Sequence, residues 1–217
     1  MVLRIYGVAD IHGRSGRLDM ILKNLKHYRP DVLVVAGDVT GYFRPEPIFE
    51  FLNSMAVPVL VVRGNTDPLR VERLLAKWDN VRSLHLRRLE FKGAKFVGLS
   101  GTIPVPFDSR IGLRDGSLVK RLNPIMVPDA VFVTHPPPRG AMDEVMGRFH
   151  AGARSVARIV ECYRPKLLLC GHIHERAGVG RYLETMVVNC SLGRGGGGAV
   201  IDFAAGREPR AEMVPAG

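Results

Sequence analysis

Val32-Leu33-Val34-Val35-Ala36-Gly37-Asp38 is a run of five apolar residues closed by a glycine and a carboxylate. With no polar alternation, it reads as a short strand buried on both faces, as strands of parallel sheets are. The same unit recurs on either side. Leu3 to Ala9 runs into Asp10, and Val59 to Val62 runs through Arg63 into Gly64-Asn65. Between these runs the period changes to that of an amphipathic helix: Leu18, Ile21, Leu22 and Leu25, then Ile48, Phe49, Leu52 and Met55, then Val71, Leu74, Leu75 and Trp78. Apolar strands alternating with helices predict an α/β chain with a largely parallel, helix-covered sheet.

Beyond residue 80 the pattern is less regular. Leu89–Phe91 and Phe96–Leu99 predict a hairpin through Lys92-Gly93-Ala94-Lys95. Residues 101–128 are rich in Pro, Gly and Arg and predict a long loop with short helical turns. Val131–Val133 is a strand before His135, Val156, Ile159, Val160 and Tyr163 mark a helix, and Leu167–Cys170 is a strand ending at Gly171-His172. Met186–Val188 and Ala199–Phe203, around Gly195–Gly198, are expected to form a terminal hairpin, with the glycines at a tip or a close backbone approach rather than a phosphate cradle. No repeat or linker interrupts the chain, so residues 1–217 are expected to be one domain.

Composition narrows the function. No apolar run reaches the roughly 20 residues of a membrane span, and the N-terminus lacks the zones of a signal peptide. Cys162, Cys170 and Cys190 are odd in number and widely spaced, which predicts core thiols in a reducing, cytoplasmic setting. The 31 Lys+Arg exceed the 21 Asp+Glu by 10, and 24 of the 31 are Arg. Arginine forks onto phosphates and carboxylates, so an anionic partner fits.

The chemistry lies at the strand ends. Asp10 and His12, Asp38, Asn65, His135, then His172 and His174 each follow an apolar strand. Ligand sites of open α/β sheets gather at the carboxyl ends of strands, so these scattered residues are expected to converge. Singly, Asp10 and Asp38 are ordinary turn formers and Asn65 suits a left-handed turn. As a set, nitrogen and oxygen donors without thiolate suit Mn, Fe or Zn better than a structural zinc. His27, His85 and His150 stand outside this set and are expected at the surface.

Asp10-Ile11-His12, Gly37-Asp38, Gly64-Asn65, His135 and Gly171-His172-Ile173-His174 resemble, in order and strand context, the successive motifs of calcineurin-like metallophosphoesterases, most closely the small cap-less prokaryotic phosphodiesterases. The tail Asn189-Cys190-Ser191-Leu192-Gly193-Arg194 adds support. The resemblance implies a four-layer αββα sandwich, two mixed sheets face to face with helices outside. It implies two divalent ions, Mn²⁺ first and Fe, Zn, Ni or Mg as others. Asp10, His12 and His174 would hold one ion, Asn65, His135 and His172 the second, and Asp38 would bridge them. A bridging hydroxide would then attack phosphorus in line, with Asp38, Asn65 and His135 counted as catalytic.

One motif departs from the family pattern. The usual Gly-Asn-His-acid is here Gly64-Asn65-Thr66-Asp67, and the missing histidine is the family's candidate proton donor to the leaving group. This favours activated diesters. Asp67, before Pro68, is expected to cap a helix. Arg14 and Arg63 are the candidate phosphate-binding cations, with Arg110 and Arg114 in the long loop behind them. The expected substrate is a phosphoester small molecule or nucleotide. The alternatives are a non-catalytic protein-binding scaffold on the same fold, against which all seven ligands stand, and a nucleic-acid binder or nuclease. The last is motivated by the charge but not favoured, because the cations are dispersed and few aromatics accompany them.

Overall fold

The computed structural model describes residues 1–41, 44–101 and 120–215. In chain order the first part comprises β1 (Leu3–Val8), α1 (Ser15–Tyr28), β2 (Val32–Ala36), α2 (Glu46–Asn53), β3 (Val59–Val62), α3 (Arg70–Leu75), β4 (Val81–Ser83), β5 (Arg88–Phe91) and β6 (Ala94–Leu99). The second part comprises β7 (Val131–Thr134), β8 (Glu144–Val145), β9 (Phe149–His150), α4 (Arg154–Tyr163), β10 (Leu167–Cys170), β11 (Gly178–Tyr182), β12 (Thr185–Asn189), β13 (Ala199–Phe203) and β14 (Arg210–Met213). Arg110 and Arg114 lie outside the described residues.

Two six-stranded sheets form, ordered β14-β13-β1-β2-β3-β4 and β11-β12-β10-β7-β6-β5. Strands β1 to β4 run parallel, as do β6, β7, β10 and β12, while β13, β14, β5 and β11 pair antiparallel at the flanks. Period-two alternation explains why the central strands are apolar throughout. Val32, Val34 and Ala36 face the space between the sheets with Ile5, Phe96, Val131 and Leu169, whereas Leu33 and Val35 face α1 and α2 through Ile21, Phe49 and Leu52. Phe132, Leu168 and Val187 meet Val156, Ile159 and Val160 of α4 on the far side of the second sheet. Three apolar interfaces separate four layers, the αββα sandwich expected. Full burial of each large side chain, such as Phe49, Phe96 or Phe132, is worth about 1.5–3 kcal/mol.

Several expectations are corrected. Met186–Val188 and Ala199–Phe203 are not a hairpin. The first belongs to β12, between β10 and β11, and the second to β13, between β1 and β14, so the chain crosses from one sheet to the other. Their actual antiparallel partners are β11 and β14. The connecting glycines make a close backbone approach: a Cβ on Gly197 would lie 2.5 Å from the Pro215 carbonyl oxygen. Tyr6 Oη donates to the Gly197 carbonyl at 2.6 Å and accepts from Asn24 Nδ2 at 2.9 Å, pinning this crossover to α1. Helix α3 starts at Arg70, two residues after Pro68, with Leu69 and not Asp67 at its N-cap position. Cys170 and Cys190 are buried, but Cys162 is exposed. His85 is half-buried, its Nδ1 accepting from the Ser100 amide at 3.0 Å.

At one edge the sheets are stitched together. Ala9 bridges Ser191, with Ala9 N donating to Cys190 O and Leu192 N to Ala9 O, each at 3.0 Å. The carboxyl ends of β1, β2, β3, β7, β10 and β12 meet there.

Candidate metal centre

All seven candidate ligands come together at that edge. Asp10 Oδ1 lies 3.2 Å from His174 Nε2 and 3.9 Å from the Nε2 atoms of both His12 and His135. Asp38 Oδ2 lies 3.3 Å from His135 Nε2 and 3.8 Å from His12 Nε2. His135 Nε2 also lies 3.0 Å from Asn65 Oδ1 and 3.3 Å from His172 Nδ1. Among the described residues, two groups have donor atoms close enough to share an ion, Asp10 with His12 and His174, and Asp10 with Asp38 and His135.

The backbone is held in a tense form to achieve this. Asp10, His12, Asp38 and His172 have φ of 62°, 52°, 51° and 69°, left-handed values that cost a non-glycine residue about 1 kcal/mol or more. Hydrogen bonds between the motif loops hold them there: Asp10 N to Gly37 O, His12 N to Asp38 O, Gly171 N to His135 O, and His172 N to Asp10 Oδ2 at 3.0 Å. Gly64 is required by close approach, since a Cβ would lie 2.1 Å from Asp38 Oδ1 and 2.3 Å from Asp38 N. Gly193 does the same for His174, whose Cγ would be 2.3 Å from the added carbon.

Each histidine presents a defined nitrogen. His135 Nδ1 donates to the Ala36 carbonyl at 2.9 Å, turning Nε2 inward. His12 Nδ1 lies 3.4 Å from Thr66 Oγ1, which donates to Thr40 O at 3.3 Å and so accepts from the ring. The network thus assigns the Nδ1–H tautomer to His12 and leaves its Nε2 for the carboxylates. Thr66, standing where the family pattern has a histidine, touches a candidate ligand instead of offering an acid.

The electrostatics suit a cation. Burial works against charge on Asp38 and Asp10, but His135 and the Thr66 amide at Asp38, and His174 and His135 at Asp10, outweigh it and lower both carboxyls. Burial likewise opposes charge on His135, and Asp38 and Asp10 reverse this, raising its pKa to about 9. Burial, then His135, lower His172 to about 4. Most telling is Asp10 Oδ1, which is buried, ringed by three imidazole Nε2 atoms, and has no hydrogen-bond partner of proper geometry. A buried carboxylate oxygen left without a hydrogen bond among imidazole nitrogens costs free energy until a cation sits among them. The two neighbouring thiols take no part: burial pushes Cys190 up to about 12 and holds Cys170 well above the ordinary thiol range.

Sequence reasoning missed several supports. Asp67 is buried, and its carboxylate accepts from Val39 N at 3.1 Å, Thr40 N and Thr40 Oγ1 at 2.8 Å and Gly64 N at 2.9 Å, bracing the loop after Asp38 rather than capping a helix. Arg17 donates to the carbonyls of Asp10 and Ile11. Asn189 Nδ2 donates to Ile173 O at 2.8 Å and its Oδ1 accepts from Ser191 N, so Asn189 steadies the His172–His174 segment. Asn189 was legible as one more polar residue at a strand end. Arg14 is exposed beside α1, whereas Arg63 is buried and donates through Nη1 to Gly64 O and Asp67 O, both at 3.2 Å.

Residues 3–176 match the family model described as calcineurin-like phosphoesterase. An uncharacterized protein of Methanocaldococcus jannaschii is 27% identical over 198 residues, covering 87% of this chain and 88% of that protein. A crystal structure from Thermus thermophilus aligns with a TM-score of 0.75 at 18% identity, covering 100% of both chains. A structure titled as a novel archaeal phosphodiesterase aligns at 0.56 and 12% identity, covering 98% of this chain and 100% of its own.

Proposed function

Since the chain belongs to the calcineurin-like phosphoesterase family, and with it is a metal-dependent phosphoester hydrolase, we propose that it is a dinuclear phosphodiesterase acting on substrates with a good leaving group. The observation that carries this is Asp10 Oδ1, buried and unpartnered between His12, His135 and His174. Asp10, His12 and His174 would hold one ion, Asn65, His135 and His172 the other, and Asp38 both, with Mn²⁺ the ion of choice. Bound there, the ions supply an activated water and neutralise charge on the phosphoryl oxygens.

The protein's own groups do the rest. Thr66 N holds Asp38 Oδ1 at 2.9 Å, which turns Oδ2 toward His135 and His12. The Ala36 carbonyl fixes the His135 ring so that Nε2 faces Asn65 and Asp38. Arg14, exposed near the site, is the cation proposed to meet the phosphate. Arg63 acts on the site through the Gly64 and Asp67 carbonyls it binds. No acid replaces the family's histidine at position 66, so leaving-group protonation, a contribution of about 10²–10⁴ in such reactions, is forgone.

With Mn²⁺ present, bis(4-nitrophenyl) phosphate should be hydrolysed and a dialkyl phosphate should react at least about 10²-fold more slowly, the lower bound for a missing general acid. Absence of metal-dependent hydrolysis of the aryl diester, or equal rates for the two esters, would overturn the proposal.

Metal uptake also has a proton signature. His135 enters protonated near neutral pH, because its pKa is about 9, while His172 is already neutral. Near pH 7.5, Mn²⁺ binding is expected to release about one proton per chain, with affinity rising about tenfold per pH unit and levelling near 9. Calorimetry in two buffers of different ionisation enthalpy counts that proton, and an uptake without release contradicts the protonated His135.

A further inference from the structure

We propose that the cleft between the 144–150 hairpin and the 193–195 turn is a subsite for an uncharged, apolar, ring-sized ester group of the substrate, an inference that rests on the phosphoesterase reading above. A cavity of about 230 Å³ opens beside the candidate ligands, lined by Val145, His172, Ile173, His174, Glu175 and Arg194. Pockets for drug-sized ligands run to ~300–1,000 Å³, so this one takes a single ring rather than a whole nucleotide.

Its charges cancel. Glu175, next to His174, accepts from Arg194 Nη2 through Oε1 at 2.6 Å and from the Met146 amide through Oε2 at 2.9 Å. Among the described residues, Arg194 is the one arginine or lysine of the lining and is thereby paired, and the carboxylate bolts both walls to the His174 turn. A second phosphate finds no unpaired arginine or lysine among these described residues, while Val145 and Ile173 offer apolar surface. Val145 pairs across the hairpin with Phe149, which places both side chains on one face. Phe149 is 64% exposed and Met146 at the turn is 76% exposed, leaving large apolar groups in water beside the site.

The wall is also preformed. Asp143, 1% exposed, accepts from His150 Nδ1 at 2.9 Å and Gly152 N at 3.1 Å, and Arg139 donates to His150 O at 2.7 Å. Glu144 pairs with Arg176 on the turn that carries His174. A wall so braced loses little freedom when it receives a ligand.

Phenylphosphonate and methylphosphonate share the phosphoryl anion and differ in the apolar group, whichever ester position the cleft receives. Calorimetry on the Mn²⁺-loaded protein should give phenylphosphonate the lower Kd by about tenfold, the low end for burying one ring. The preference should fall to about one in Phe149→Ser and in Val145→Asp, each checked for an unchanged thermal midpoint and Mn²⁺ binding. Phe149 is exposed, so the first variant keeps the test open if the second misfolds. Equal Kd values in the wild type, or a preference that survives both substitutions, overturn the subsite and leave the phosphoesterase reading standing. If neither phosphonate binds the loaded protein, that reading fails and the subsite with it. Equal Kd values together with a dimer that Phe149→Ser dissociates would make the apolar ledge an interface between copies, which also overturns it.

Discussion

Asp38→Asn is expected to lower kcat/KM for bis(4-nitrophenyl) phosphate by about 10³-fold or more and to leave a cooperatively folded chain. The amide oxygen can still accept from Thr66 N, as Oδ1 does at 2.9 Å. What disappears is the negative charge 3.3 Å from His135 Nε2 and 3.8 Å from His12 Nε2. Losing a residue that only supports a ligand costs about 10–100-fold in metal affinity or activity, and a carboxylate shared by two dications counts for more. Equilibrium dialysis against Mn²⁺ alongside the assay separates lost binding from lost turnover. A variant that binds Mn²⁺ as the wild type does and keeps a tenth of the rate would show that Asp38 does not hold the ions.

Asp67→Ala should have the largest effect on stability. Its buried carboxylate accepts four hydrogen bonds, from Val39 N, Thr40 N, Thr40 Oγ1 and Gly64 N. Alanine leaves those donors buried, at a cost of about 3–5 kcal/mol, comparable to removing one partner of a buried ion pair. In a chain of this size that is a fall of about 6–20 °C in Tm. Metal affinity should fall too, since Val39 and Thr40 follow Asp38 directly. Loss of less than about 1 kcal/mol in denaturant unfolding would show that water replaces the carboxylate.

The contrast between these two residues shows what the sequence makes legible. Asp38 announces itself locally: a strand buried on both faces must end at the sheet edge, and a carboxylate after Gly37 lands where sites form. The same holds for Asp10, Asn65, His135 and His172, which is why the cluster could be expected before its geometry was known. Three of the four donors to Asp67, by contrast, lie 27 and 28 residues away at Thr40 and Val39. Locally it looks like a cap before Pro68, and no nearby residue reveals otherwise.

The misjudged tail has a similar cause. Met186–Val188 and Ala199–Phe203 are both apolar, and periodicity reports burial but not which sheet receives a strand. The crossover is written in contacts between distant parts, Ala9 with Ser191 and Tyr6 with Gly197. Strands β8 and β9 have two residues each, too few for a period, so the wall beside His174 left no pattern to read. Strand β11, Gly-Val-Gly-Arg-Tyr, is half-exposed and carries two glycines, which hides it among loops.

The dinuclear centre is tested most directly by the rate of aryl diester hydrolysis measured against Mn²⁺ bound per chain. Binding is expected to saturate at two ions, hydrolysis to appear with the second, and Asp38→Asn to remove both the second ion and the rate. Full activity with a single bound ion, or saturation at two ions with no hydrolysis of any phosphodiester, would contradict it.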